Sequence, residues 1–472
     1  MIEMNVFRRA SNIIATGLLS TALCLGASIG KAEAWSLEEA AKPYAGVEIR
    51  TICDGYAPCV SNKELSEEFT ERTGIIVNIE VGDLLTMQTQ MFTDQLTEGQ
   101  YYDFVQVQSI QVPMWAAQGF TTPMSRFLDD PALHDPSLKP EDFIPEIMAM
   151  TSVVDDVQVG FPFHYIPDFG IMRKDILGNA EERDAFKARY GYDLPPAQDI
   201  VMLDSWDQWR DLAEFFTRKK GEKLAGNILE RDFYGTAVPF KRHVTLYYWY
   251  MGVLHGLGGQ AYDDDFNLQF DSAEALAALN FMLDLRQFSP PGYREYTWDE
   301  SSYNDFCVGN IFIASSWGDT TPYLQISEDC PASAGNITHF VNPGTHTTAA
   351  WGSGWLIPTI ARNPEAAFLY IQWSVSKEIQ ARLTPQGWLP TRGDVLDVDW
   401  SGHPDISAAM EIHRMYLDKG WLTSLKPHPA GMVLQEIMME DLSAAGADDM
   451  SAEETLADIQ RRGTEAFEAS SE

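Results

Sequence analysis

The chain has 472 residues, 45% of them apolar, more than one compact core usually holds, which points to two domains. Its 33 Lys and Arg stand against 69 Asp and Glu, a formal charge of −36. Nucleic acid and anionic membrane surfaces both need a basic footprint, so this balance argues against either as a partner.

Residues 1–34 read as a secretory signal. Arg8 and Arg9 precede an apolar run at 13–29, and Ala32-Glu33-Ala34 gives a small-x-small cleavage pattern before Trp35. The run is about the minimum spanning length and is interrupted by Gly17, Ser20, Gly26 and Ser28, which favours cleavage over anchoring. A soluble exported product is expected. Cys24 leaves with the signal, and the remaining even set suggests two disulfides. Cys53 and Cys59, with Pro58 between them, favour a local pair, which leaves Cys307 with Cys330. No C-x-x-C pair or His at ligand spacing accompanies them, so no metal is expected.

From 47 the chain alternates strand and helix signals. A strand is expected at 47–53, then a helix opened by the capping box Ser61-Asn62-Lys63-Glu64 and ended by Gly74. Residues 75–81 read as a buried strand, and Gly82-Asp83 starts a helix through Met87, Met91 and Leu96. A third strand at 104–107 and a short helix from Pro113 complete a βαβαβ run, which implies a parallel sheet covered by helices. Residues 159–172, with Pro167 and Gly170, fit a crossing strand. Helices are expected from Ser205 to about 219, over 243–254, and from Ser272 to 288. Residues 289–304 read as a loop, 308–315 as a strand, and Trp351-Gly352-Ser353-Gly354-Trp355 as a Gly-rich turn before a short strand to Pro358. One periodic helix runs from Asn363 through Phe368, Ile371, Val375 and Ile379. A second capping box, Ser451 to Glu454, opens the last helix.

Catalytic constellations find little support. Among 69 carboxylates, adjacent pairs such as Asp299-Glu300 arise by chance, so a glycoside hydrolase is a weak reading. Asp263, Asp265, Asn267 and Glu274 mimic calcium-loop positions, but Leu268 stands where the sharp turn requires Gly. Gly256-Leu257-Gly258-Gly259 lacks the Lys-Ser/Thr pair of a phosphate loop. Ser353 lacks the Gly at minus two of a nucleophile elbow. What remains is aromatic residues near strand ends: Tyr165, the bunch Tyr247 to Tyr250, Trp317, Trp351, Trp355 and Trp388. Such faces suit the C–H face of a sugar ring, while Asp, Gln and Arg bind its hydroxyls.

Several segments together resemble the extracellular solute-binding proteins of ABC importers, in the carbohydrate-binding group that includes maltose-binding protein. Phe69-Thr70-Glu71-Arg72-Thr73-Gly74-Ile75 is similar to the end of that family's first helix, and Tyr102-Asp103-Phe104-Val105 to its strand before a ligand loop. Gly119-Phe120-Thr121-Thr122-Pro123-Met124 is similar to the loop after that strand, and Gly160-Phe161-Pro162 to the approach to the hinge. Ser205-Trp206-Asp207-Gln208-Trp209, Ser316-Trp317-Gly318, Asn363-Pro364-Glu365-Ala366-Ala367 and Gly387-Trp388-Leu389-Pro390 follow in the family's order. The resemblance implies an α/β fold of two lobes with a ligand cleft between them. Lobe one would comprise 35–158 and 348–388, and lobe two 159–347 and 389–472. It also implies capture of a sugar, oligosaccharide or polyol by a periplasmic monomer that breaks no bond, uses no cofactor and delivers its ligand to a membrane permease. Implied ligand contacts are Asp54, Tyr56, Gln108, Ser109, Tyr165, Trp249, Trp317, Asp319, Trp351, Trp355 and Arg392. A secreted carbohydrate-active enzyme, or the same fold binding a sugar phosphate or polyamine, are the alternatives. Arg392 on the ligand would favour an anion, and carboxylates without cations an amine.

Overall fold

A computed structural model describes residues 35–326, 328–423 and 425–470, so the expected signal at 1–34 lies outside the described residues. Strand β1 (Glu48–Asp54) pairs in parallel with β2 (Ile76–Gly82), in register from Glu48↔Ile76 to Asp54↔Gly82. The connecting helix α1 (Ala57–Thr73) begins ahead of the box at Ser61, because Pro58 already occupies its first turn. It ends as expected at Gly74, whose φ of 73° only glycine takes readily. Strand β2 is not buried as expected. Only Ile79 of it is covered, because β1 alone flanks it in a two-stranded sheet. Helix α2 (Leu84–Leu96) is capped by the Asp83 carboxylate, which accepts from the Thr86 N–H at 3.0 Å.

The sheet that follows is mixed, not mostly parallel. Strand β3 (Val105–Gln108) runs antiparallel to a later strand, with Gln108 opposite Ser353. Helix α3 (Pro145–Ser152) then leads to β4 (Gly160–Arg173), the expected crossing strand, 14 residues long and buried almost throughout. Its first half, Gly160 to Pro167, pairs antiparallel with β7 (Thr348–Leu356). From Asp168 onward it pairs with β5 (Ile313–Trp317), and from Gly170 with β6 (Ile337–Phe340), both antiparallel. Asp168 stands opposite Trp317 and Pro167 opposite Ala350, so the two ladders meet between adjacent residues. Strand β4 runs antiparallel to every strand it pairs with, which replaces the simple βαβ pattern. Strand β5 is also shorter than the 308–315 run suggested.

The Trp-Gly-Ser-Gly-Trp segment is the body of β7 and not a turn. A Cβ on Gly352 would stand 2.6 Å from the His164 carbonyl oxygen, and one on Gly354 would stand 2.4 Å from that of Thr151. The glycines let β4 and α3 approach the strand's backbone. Other differences are local. Residues 289–304 contain a 3-10 turn (Tyr293–Glu295) and a π-helix (Asp299–Asn304) instead of open loop. The helix from Asn363 breaks at Val375, and Ser376 caps its continuation (Lys377–Leu383) through the Ile379 N–H. Both expected disulfides are present, Cys53–Cys59 and Cys307–Cys330.

Helix α4 (Trp206–Phe216), capped by Ser205, packs with α5 (Val244–Gly256) and α6 (Ala273–Leu285), capped by Ser272. Together with α7 (Gly431–Gly446) and α8 (Ala452–Ser470) they bury the largest apolar cluster. The Ser451–Glu454 box is formed reciprocally, with Ser451 N–H donating to Glu454 at 3.0 Å and Glu454 N–H to Ser451 Oγ at 3.2 Å.

Candidate ligand-binding site

Strand β1 ends at Asp54, and the Cys53–Cys59 bridge ties down the turn that carries Asp54 and Tyr56. Gln106 of β3 knits this turn to the sheet. Its carbonyl accepts from Asp54 N–H at 3.0 Å, and its amide donates to the Tyr56 hydroxyl at 2.6 Å and to Ser353 Oγ at 3.0 Å. The Tyr56 ring lies 4.6 Å from that of His164. Burial holds the His164 imidazole down at about 3, so it is neutral at physiological pH.

Across from this turn, Trp351 of β7 meets two rings of α5, Tyr248 at 4.3 Å and Tyr247 at 5.3 Å. The same Trp351 and Tyr247 line a cavity with Ser109, Met150, His428 and Leu434. Beside Trp351 sits Asp168, 3% exposed, with neither carboxylate oxygen hydrogen-bonded. Burial pushes it up to about 8; the Trp317 and Trp351 indoles counter part of the rise without making a well-formed hydrogen bond. Helix α5 presents bare backbone here, because a Cβ on Gly252 would stand 3.1 Å from Asp168 Oδ2.

Two further carboxyls behave alike. Burial lifts Asp319, just past β5, to about 7, and one of its oxygens has no partner. Burial lifts Asp54 to about 7, with Asp83 and Asp319 adding to the rise. Asp54 and Asp319 both raise the Tyr56 phenol, and Asp54 and Asp168 both raise that of Tyr248, after burial in each case. Asp54 and Asp319 thus lie near Tyr56, Asp54 and Asp168 near Tyr248, and the Trp317 and Trp351 indoles beside Asp168.

Of the expected contacts, Asp54, Tyr56, Trp317, Asp319 and Trp351 are brought together here. Gln108 and Ser109 lie at the rim: Gln108 faces Ser353, and Ser109 N–H donates to the Gly352 carbonyl at 2.8 Å. Four others lie elsewhere. Tyr165 is fully buried on the other face of β4 against His413, at 4.5 Å. Trp249 packs on Trp209, and Trp355 between Phe104 and Phe163. Arg392 is buried in ion pairs with Asp142 and Asp394, each at 2.9 Å, so it is not offered to a ligand.

Residues 64–411 match the family model described as bacterial extracellular solute-binding protein. The chain belongs to that family. This solute-binding protein is 22% identical, over 80% of its length and 84% of the relative's, to a probable amino-acid ABC transporter periplasmic-binding protein of Sinorhizobium fredii. A solute-binding protein from Agrobacterium radiobacter, solved with ribitol, superposes with a TM-score of 0.71 at 20% identity, covering 91% of this chain and 100% of that one. A maltose-bound protein of Thermotoga maritima gives 0.71 at 18% identity, covering 88% and 98%. The fold is accordingly the two-lobed, ligand-cleft α/β architecture.

Sequence reasoning missed Asp168, Tyr248, Gln106 and His164. The signal for Asp168 was a lone acid inside an otherwise apolar crossing strand. Tyr248 differs from the chosen Trp249 by one helical step, about 100° of rotation, which periodicity alone does not orient.

Proposed function

We propose that this protein captures a small hydroxylated solute, a sugar or polyol, in the space between its lobes and delivers it to the membrane permease of an ABC importer. The lobes divide as 35–158 with 348–388 and 159–347 with 389–472, and β4 and β7 carry the crossing. The observation that carries the reading is the Trp351–Tyr248 pair set beside unpartnered Asp168. An aromatic face takes the apolar side of a ring or chain, and carboxyl and hydroxyl groups of Asp54, Asp168 and Ser353 take its hydroxyls. Likeness to proteins solved with ribitol and maltose supports the same class. Closure of the lobes retains the solute, and no bond is made or broken. The mature chain acts as a periplasmic monomer after removal of 1–34, and needs no cofactor.

The test is a titration of the mature protein with sugars and polyols, followed by tryptophan fluorescence. Saturable change with the compound recovered intact is the expected result. Consumption of the compound would replace the binding reading with an enzymatic one.

A further inference from the structure

The cavity beside Trp351 carries no charge. Among the described residues its walls are Ser109, Tyr247, Tyr262, Trp351, His428 and apolar side chains, with no Asp, Glu, Lys or Arg between them. Lys426, the cation nearest His428 in sequence, is engaged elsewhere. Its ammonium lies over the Phe266 ring at 4.4 Å and donates to the Asp264 carbonyl at 2.7 Å.

His428 is the best-defined polar group of the cavity wall. It is 8% exposed, stacked on Phe467 at 3.9 Å and tilted against Phe266 at 4.6 Å, so its ring plane is fixed. Its Nδ1 accepts from the Ala430 N–H at 3.2 Å, which puts the proton on Nε2. Burial holds the ring below its ordinary value, so it is neutral at physiological pH. Nε2–H is thus a committed donor, and it meets no acceptor among the described residues. The Tyr247 hydroxyl, on a ring that packs against Trp351 at 5.3 Å, is likewise without a partner among them. Tyr262 spends its proton on the Lys426 carbonyl at 2.7 Å and keeps only the capacity to accept.

Uncharged donors and acceptors in one cavity suit a group that both gives and takes a hydrogen bond, which is an alcohol. An ammonium or a carboxylate would lose its water here and meet no counter-ion. Size narrows the group further. The cavity is about 30 Å3, room for a hydroxymethyl arm and not for a ring. Ile110 sets that limit from one side, since a Cβ on Gly431, at the start of α7, would stand 3.1 Å from its Cγ1.

We propose that the cavity receives the terminal hydroxymethyl arm of the solute, its hydroxyl accepting from His428 Nε2–H and donating to Tyr247 or Tyr262, so that this corner selects solutes with a free primary alcohol. This rests on the solute-binding reading and narrows its ligand class.

The experiment is calorimetry of the mature protein with matched probes: glucose and 6-deoxyglucose, galactose and 6-deoxygalactose, mannitol and 1,6-dideoxymannitol. Glucuronate and 6-amino-6-deoxyglucose serve as charged counterparts. The expected result is that a hydroxymethyl member binds about tenfold or more tighter than its deoxy match and than either charged counterpart. His428→Phe keeps the aromatic stack and removes the donor. In that variant, checked for folding by circular dichroism, the hydroxymethyl member should lose about tenfold in affinity while its deoxy match changes by less than about twofold. Tyr247→Phe, which keeps the ring on Trp351, should show the same selective loss. Equal affinity within every pair, tighter binding of a charged counterpart, or equal losses for both members in His428→Phe would overturn the hydroxymethyl site while leaving solute binding intact. No binding by any of the probes would overturn both.

Discussion

At the scale of single residues, the site is defined by groups left incomplete. Asp168 is raised to about 8 by burial from an ordinary value of 3.8, so folding takes up a proton between those values. Stability from that protonated form is full below about pH 4 and is lost as pH rises through about 8. Asp54 and Asp319 act in the same direction up to about 7. The unliganded protein should therefore resist urea better at about pH 5 than at about pH 8, and Asp168→Asn should flatten that difference. A wild-type profile that rises over this range would contradict the burial of these acids. Trp351→Ala removes a stacking wall, and should weaken solute binding about 10- to 100-fold by calorimetry with little change in the apo fold's circular dichroism. Residue types were legible where chemistry was scarce. Trp317 and Asp319 stood out beside glycine at a strand end, whereas Trp351 was read beside a turn but lies within β7, and Tyr165 was misjudged because one step along a strand changes its face.

At the scale of elements, what the sequence reading identified well was anything with its own local chemistry. Gly74 ended α1, Ser205 and Ser272 capped their helices, and Ser451 with Glu454 closed a reciprocal box. Pairing was harder, since β3 finds its partner in β7, far along the chain, and no local signal encodes that. The Gly-rich stretch of β7 misled for the same reason: its glycines answer to β4 and α3, not to a turn. Gly352→Ala should force a Cβ onto the His164 carbonyl, and is expected to lower the melting temperature by several degrees in a thermal scan. The Cys53–Cys59 bridge closes a short loop, with a separation of 6, and Cys307–Cys330 a longer one of 23. On loop-entropy grounds their removal should cost about 2 and about 3 kcal/mol in denaturant titrations. Replacing Cys53 and Cys59 with Ala should in addition weaken solute binding, because that loop carries Asp54 and Tyr56. Equal losses of affinity from both pairs would argue against this assignment.

At the scale of the whole molecule, two features frame the behaviour. The acidic balance, at −36, gives copies of the chain a mutual repulsion, and the crossing strand β4 joins two groups of strands. Solute at about a hundred times its dissociation constant should add about 2.7 kcal/mol to stability, and small-angle scattering should record a smaller radius of gyration. An unchanged radius with saturating ligand would rule out closure. The two-lobed plan was readable from the order of loose motifs, although the division of the sheet between lobes was not.

Asp168 occupies the place where β4 leaves one ladder and joins the other, between Pro167↔Ala350 and Asp168↔Trp317. In the proposed closure a pivot moves least at its centre, so this carboxylate should hold nearly the same position whether the lobes stand apart or together. On the proposed division of the chain, Asp54 belongs to one lobe and Asp319 to the other, so both should engage the solute together only as the lobes meet. Capture and retention should then be separable in time. In stopped-flow mixing, Asp168→Asn should slow the arrival of solute, and Asp54→Asn should hasten its escape.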